Sequence, residues 1–89
     1  MEEENKGKIS AKVYSLKSGY YEADELKLIR IKSKEYNLVI MEDYLPVIGE
    51  VEGSVTFVKD EFEKELSEIS GFYRCAHNEF ELIIRGEKQ

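Results

Sequence analysis

The 89-residue sequence predicts a small all-β domain, a sandwich or a barrel, and three observations carry that prediction. Short apolar segments recur at roughly 8–12-residue spacing between turn residues, the rhythm of such folds. Several segments alternate apolar and polar residues, which sets one face toward a core and the other toward water. Valine, isoleucine, tyrosine and phenylalanine recur throughout, and these side chains fit a pleated, half-buried surface. One domain is expected, spanning residues 8–85, with tails at 1–7 and 86–89.

The elements follow in order. After Met1 nothing is apolar until past Gly7, so this stretch reads as a solvated tail. From Lys8, Ile9, Ala11 and Val13 fall on one face and Ser10, Lys12 and Tyr14 on the other, a half-buried strand. Lys17-Ser18-Gly19 is turn chemistry. Tyr20 to Ala23 suits a short edge strand. The segment LKLIRIKS from Leu26 reads as a strand with Leu26, Leu28 and Ile31 inward, and with a bulge where Leu28-Ile29 breaks alternation. Lys34-Glu35 is a polar turn.

The stretch from Leu38 to Val58 holds the only proline and the longest apolar clusters. Tyr36 to Met41 has the composition of a strand buried on both faces. Glu42-Asp43-Tyr44 forms a loop, and Pro46, which has no amide hydrogen to donate, belongs at a strand edge or start. Val47 to Val51 continues as strand, Glu52-Gly53 turns the chain, and Ser54 to Val58 is the strongest strand signal of all.

Between Asp60 and Ser70 the local signals conflict. Phe62, Leu66 and Ile69 make a helical stripe in a segment of good helix formers. As a strand, Phe62, Lys64 and Leu66 would share a face and Ile69 would need a change of register, so the local signals slightly favour helix. Gly71 opens the short segment Phe72 to Ala76, and His77-Asn78 makes a two-residue hairpin turn. In the last strand Phe80, Leu82 and Ile84 alternate with Glu81, Ile83 and Arg85.

Charge and composition exclude several functions. The net charge of -6 and pI near 4.8 repel phosphate backbones and anionic lipid surfaces, which argues against nucleic-acid partners. The apolar runs Leu38 to Met41 and Leu45 to Ile48 are far shorter than the roughly 20 residues of a membrane span. The acidic start Glu2-Glu3-Glu4 does not read as a secretory signal. With Cys75 alone, no internal disulfide holds the fold, and this thiol reads as a small hydrophobe in a strand.

No catalytic spacing stands out. Asp60, Ser70 and His77 are the residue types of a triad, but a triad is defined by geometry and not by presence. Cys75 and His77 have no further cysteine or histidine to complete a metal site, and the scattered glycines form no phosphate-cradling loop. No cofactor, metal or small-molecule ligand is therefore expected. Tyr20-Tyr21 and Phe72-Tyr73 read as core and edge residues. The acidic pair Glu42-Asp43, at a tip between apolar strands, is the one carboxylate pair that suggests a binding loop.

The run Leu38-Val39-Ile40-Met41-Glu42-Asp43-Tyr44-Leu45-Pro46-Val47-Ile48 resembles a segment of the epsilon subunits of F-type ATP synthases. Leu38, Ile40, Met41, Pro46, Val47 and Ile48 match it in kind and order, while Glu42-Asp43-Tyr44 stand where the family has Pro-Gly-His. Val51, Gly53, Val55 and Phe57, and then Ile69-Ser70-Gly71-Phe72, continue the likeness, which covers roughly Lys8 to Arg85. The resemblance implies an antiparallel β-sandwich of two sheets, the N-terminal domain of epsilon, and turns Asp60 to Ser70 into strand and hairpin.

It further implies a non-catalytic central-stalk part of a rotary, proton-transporting motor, on the cytoplasmic side and peripheral to the membrane complex. Its partners would be a gamma-like subunit and the ring of c subunits. Met41, Glu42, Asp43, Tyr44, Leu45 and Pro46 would form one end of the interface and an exposed apolar sheet face the other. The sequence stops at Gln89, before the family's inhibitory helical hairpin. With Gln89 as the natural terminus the coupling role alone is expected, and with a longer natural chain the hairpin would follow. A free-standing interaction module on the same sandwich is the alternative.

Overall fold

The computed structural model describes residues 7–60 and 62–87. Its strands are β1 (Ile9–Ser15), β2 (Gly19–Leu26), β3 (Leu28–Ser33), β4 (Asn37–Met41), β5 (Val47–Lys59), β6 (Phe62–Ala76) and β7 (Glu79–Glu87). They form one sheet in the order β2-β1-β7-β6-β5-β3-β4. Every pairing is antiparallel except β1 with β7, which run parallel from Ser10 opposite Glu79 to Ser15 opposite Ile84.

The all-β class stands, but the expected pair of separate antiparallel sheets is replaced by one continuous mixed sheet. The reason lies in β5 and β6, of 13 and 15 residues, which are long enough to serve two regions of the sheet. The first half of β5 pairs with the second half of β6, beside β7; the second half of β5 is shared between β6 and β3. Rings of β2 and β5 meet across the interior, Tyr21 edge-on to Phe57 at 6.5 Å, although β5 stands four places from β2 in the sheet. The sheet therefore curls back over its own inner face.

Bulges and glycines allow that curl. Gly53 pairs with Ile69 and Val55 with Leu66, so β6 carries one extra residue there, and Glu68 takes positive φ of 56°. This is the register change that Ile69 required, and it lets Leu66 and Ile69 both turn to the core. Gly53 and Gly71 sit where backbone approaches backbone: an added Cβ would lie 2.1 Å from the Lys32 carbonyl oxygen and 2.1 Å from that of Ile83, respectively. By composition Glu52-Gly53 reads as a turn and Gly71 as a strand start. Both glycines instead lie inside continuous strands, because the same lack of a side chain that suits a turn also suits a close approach.

The core follows the alternation. Ile9, Ala11 and Val13 of β1, Ile29 and Ile31 of β3, Val51, Val55 and Phe57 of β5, and Phe80, Leu82 and Ile84 of β7 are all buried. Phe80 stacks on Tyr73 at 5.8 Å and meets Phe57 edge-on at 6.0 Å. Cys75 is buried among them, as expected of a small hydrophobe, and burial pushes its thiol pKa up. Phe62 to Ser70 carries strand and not helix: pairing with β5, joined by β7 from Ile69 onward, outweighs a weak local propensity.

Three expectations need correction. Tyr36 to Met41 is not buried on both faces: β4 is the outer strand of the sheet, with Ile40 buried and Val39 and Met41 exposed. The break in alternation near Leu28 is a strand boundary at Lys27, which puts Ile29 in the core and leaves Leu28 half-buried. The bulge lies in β2, between Ala23 and Leu26, where Glu25 takes positive φ of 60°. The last strand runs beyond Arg85 through Glu87, whose carboxylate accepts hydrogen bonds from the Ser15 and Ser18 hydroxyls at 2.6 and 3.1 Å. Most of the expected N-terminal tail, residues 1–6, lies outside the described residues, as do 88 and 89.

Candidate interaction site

The segment 41–46 leads from the end of the edge strand β4 to β5, an interior strand of the sheet. The Tyr44 amide donates to the Met41 carbonyl at 3.1 Å, closing a β-turn over Glu42-Asp43, and Asp43 takes positive φ of 61°. Positive φ at the third turn position alone is the sign pattern of a type II turn, which tolerates Asp less readily than Gly or Asn. The site offsets that cost through the other turn the sequence singled out. The Asp43 amide donates to Asn78 Oδ1 at 2.7 Å, and Asn78 Nδ2 donates back to Asp43 Oδ1 at 3.1 Å. His77 and Asn78 both take positive φ, as a two-residue hairpin turn of the mirror type requires.

Around this paired turn the chain is tied further. The Ser10 amide donates to the Asn78 carbonyl at 2.9 Å, and Lys8 Nζ lies 3.4 Å from Glu42. The two turns thus form one end of the molecule, fixed to the start of β1. The six residues picked out in sequence split by role. Glu42 and Asp43 face these internal partners, while Met41 and Leu45 remain 53% and 78% exposed. Pro46 stands directly before β5, where its missing amide hydrogen costs nothing. Beside it lies a depression of about 520 Å³ lined by Pro46, Val47, Ile48, Arg74, His77 and Glu79, among others.

A second surface lies on the outer face of the sheet. Tyr20 on β2 is opposite Tyr14 on β1, Tyr14 opposite Ile83 on β7, and Ile83 opposite Phe72 on β6. These four side chains point away from the core and stay 40–51% exposed. The two tyrosine rings lie 5.0 Å apart, and the Arg85 guanidinium sits 4.9 Å over the Phe72 ring. Parallel to this row runs a charged one: Glu22, Lys12, Glu81 and Arg74 are opposite one another in turn. Arg74 Nε donates to Glu81 at 2.9 Å. Tyr20 donates its hydroxyl to Glu22, and that bond, ahead of slight desolvation, raises its pKa to about 12.

The sequence implies an exposed apolar sheet face and sets Tyr14 and Ile83 outward, but it does not assemble this row, since Tyr20 and Phe72 read there as core and edge residues. The available signal was parity: in β1, β6 and β7 large apolar residues occupy positions alternate to the buried ones. Which of them stand beside each other depended on the β1–β7 pairing.

The exposed Tyr36 and the buried Tyr73 form a structural pair. Tyr36 donates to the Glu50 carbonyl, and its oxygen lies 2.8 Å from that of Tyr73, which donates to it. Burial, then this bond, holds the Tyr73 hydroxyl well above the ordinary tyrosine range. Asp60 and His77 lie beyond opposite ends of β6, so the strand separates the triad residue types instead of gathering them. Among the described residues no group of three or more metal-ligating side chains comes together. In comparison with known proteins, the chain matches no family model and no curated protein.

Proposed function

We propose that this chain is a non-catalytic stalk subunit of a rotary F-type ATPase, similar to epsilon, that joins a gamma-like subunit to a ring of c subunits. In that reading the curled sheet serves as the family's two-layered sandwich, peripheral to the membrane on its cytoplasmic side. The observation that carries the proposal is the presence of two separate apolar surfaces on one stiff body. One is the tip with Met41 and Leu45; the other is the row Tyr14, Tyr20, Phe72 and Ile83. A coupling part needs two such contacts, because it passes force from one partner to another through packed surface and has no reacting group. The paired turns at Asp43 and Asn78 support this role by holding the tip against its own domain.

Affinity capture of the tagged chain from its own cells tests the reading. A gamma-like ATPase subunit should be recovered with it, and exchange of Met41 and Leu45 for serine should lower recovery of the ring while leaving thermal unfolding nearly unchanged. Capture without any ATPase component would overturn it. A free-standing module is the second reading, favoured by Glu42-Asp43-Tyr44 standing in place of the family's loop residues. Recovery of one unrelated complex would support that module instead.

A further inference from the structure

The outer face has a symmetry that the stalk reading does not use. Across β2, β1, β7 and β6 the charged row reads Glu22, Lys12, Glu81, Arg74, alternating negative and positive. The apolar row beside it reads Tyr20, Tyr14, Ile83, Phe72, with an aromatic residue at each end. A two-fold axis lying in the face, along the strands and between β1 and β7, reverses both rows. Glu22 then meets Arg74 of a second molecule, Lys12 meets Glu81, Tyr20 meets Phe72 and Tyr14 meets Ile83. Each charge finds its opposite and each apolar group an apolar one.

We infer that the free chain forms a two-fold dimer through this face, with a second copy of itself as the occupant. Two features favour a second copy over an unrelated protein. The charge pattern is self-complementary only in the reversed order that a two-fold produces, as an isologous contact requires. Lys12 makes no ion pair among the described residues, so its charge is available to Glu81 of the other copy. The area is also of the right order. The four row residues are 40–51% exposed, which leaves them about 350 Å² at 150–250 Å² for a full aromatic side chain. With the charged row and Leu16 around them, the face approaches the roughly 800 Å² per partner of a standard interface. Aligned sheet faces pack in this way at about -30°.

The dimer rests on the face alone and not on the stalk reading. A chain that stays monomeric overturns the dimer and leaves capture of an ATPase partner to be decided separately. The test is light scattering or sedimentation of the full chain at micromolar to submillimolar concentration. A species of twice 10.4 kDa is expected, and a particle of 10.4 kDa throughout would overturn the inference. Ile83→Glu, an outward position beside the axis, should weaken association about 30-fold or more while circular dichroism stays that of the folded chain. Glu22→Lys and Arg74→Glu should each weaken it about 10-fold, since the reversed pair occurs twice in the dimer.

Mixing the last two variants should restore association, because each altered site then faces its altered opposite while the native pair re-forms on the other side. Dimers that survive Ile83→Glu, or charge variants that mixing fails to rescue, would mean another face is used and would overturn the assignment.

Discussion

Replacing Gly71 with alanine tests the claim that close backbone approach holds the curl of the sheet. Gly71 lies opposite Val51 on one side and Ile84 on the other. A Cβ there would fall 2.1 Å from the Ile83 carbonyl oxygen and 3.0 Å from both Ile83 C and Ile84 Cα. These are backbone atoms of β7 and cannot rotate aside, so the strand itself has to move by more than an ångström to restore ordinary contact. Forced overpacking of this kind costs about 1–3 kcal/mol. Alanine also restricts the unfolded chain, which returns about 0.4–1 kcal/mol. The net loss is about 1–2 kcal/mol, or roughly 5–15 °C in Tm for a domain of this size.

Gly86→Ala is the matched control, since its added Cβ would meet only the Ser70 hydroxyl at 2.9 Å, and that group can swing away. It should stay within about 0.5 kcal/mol of the wild type. Equilibrium urea unfolding followed by circular dichroism gives both numbers. If Gly71→Ala is as stable as the wild type, or Gly86→Ala loses as much, the close-approach account fails.

Other consequences follow from the same structure. Asp43→Ala and Asn78→Ala should each cost about 1 kcal/mol, with a coupling of comparable size in the double variant; a coupling near zero would mean the turns do not support each other. Phe80→Ala removes a buried ring packed on Tyr73 and Phe57, and should cost about 3–5 kcal/mol of a total near 4–13 kcal/mol, visible as a sharp drop in urea midpoint. A loss below about 1 kcal/mol would contradict the packing.

Alkaline pH should destabilise the protein. The folded state holds the Tyr73 hydroxyl above its ordinary value, so its contribution is complete below about pH 10 and is lost as pH rises past it. Urea unfolding across that range should show stability falling, and falling less steeply in Tyr73→Phe; equal slopes in the two proteins would refute the linkage.

Much of the fold is legible because burial and alternation are local. Ile9, Ala11 and Val13, or Phe80, Leu82 and Ile84, announce their inner face within five residues of chain, and all six are buried. The His77-Asn78 turn and the place of Pro46 at a strand start follow in the same way, from what single residues permit in φ or as donors. The candidate tip at Met41 to Pro46 was visible as a polar interruption between apolar runs. Its fastening was not, because Asp43 and Asn78 are 35 residues apart.

Sequence alone indicated a mainly β chain, the inner faces of its first and last strands, the His77-Asn78 turn and an acidic net charge. Tertiary structure decided that Gly53 and Gly71 bend strands and do not end them, because only a neighbouring backbone, at Lys32 or Ile83, reveals the need for a missing Cβ. It decided that one mixed sheet replaces two antiparallel ones, because the pairing of β1 with β7 joins opposite ends of the chain and no short connection dictates its direction. That same pairing aligned Tyr14 with Ile83 and Lys12 with Glu81. Residues scattered along the sequence thereby became one apolar row and one alternating row of charge.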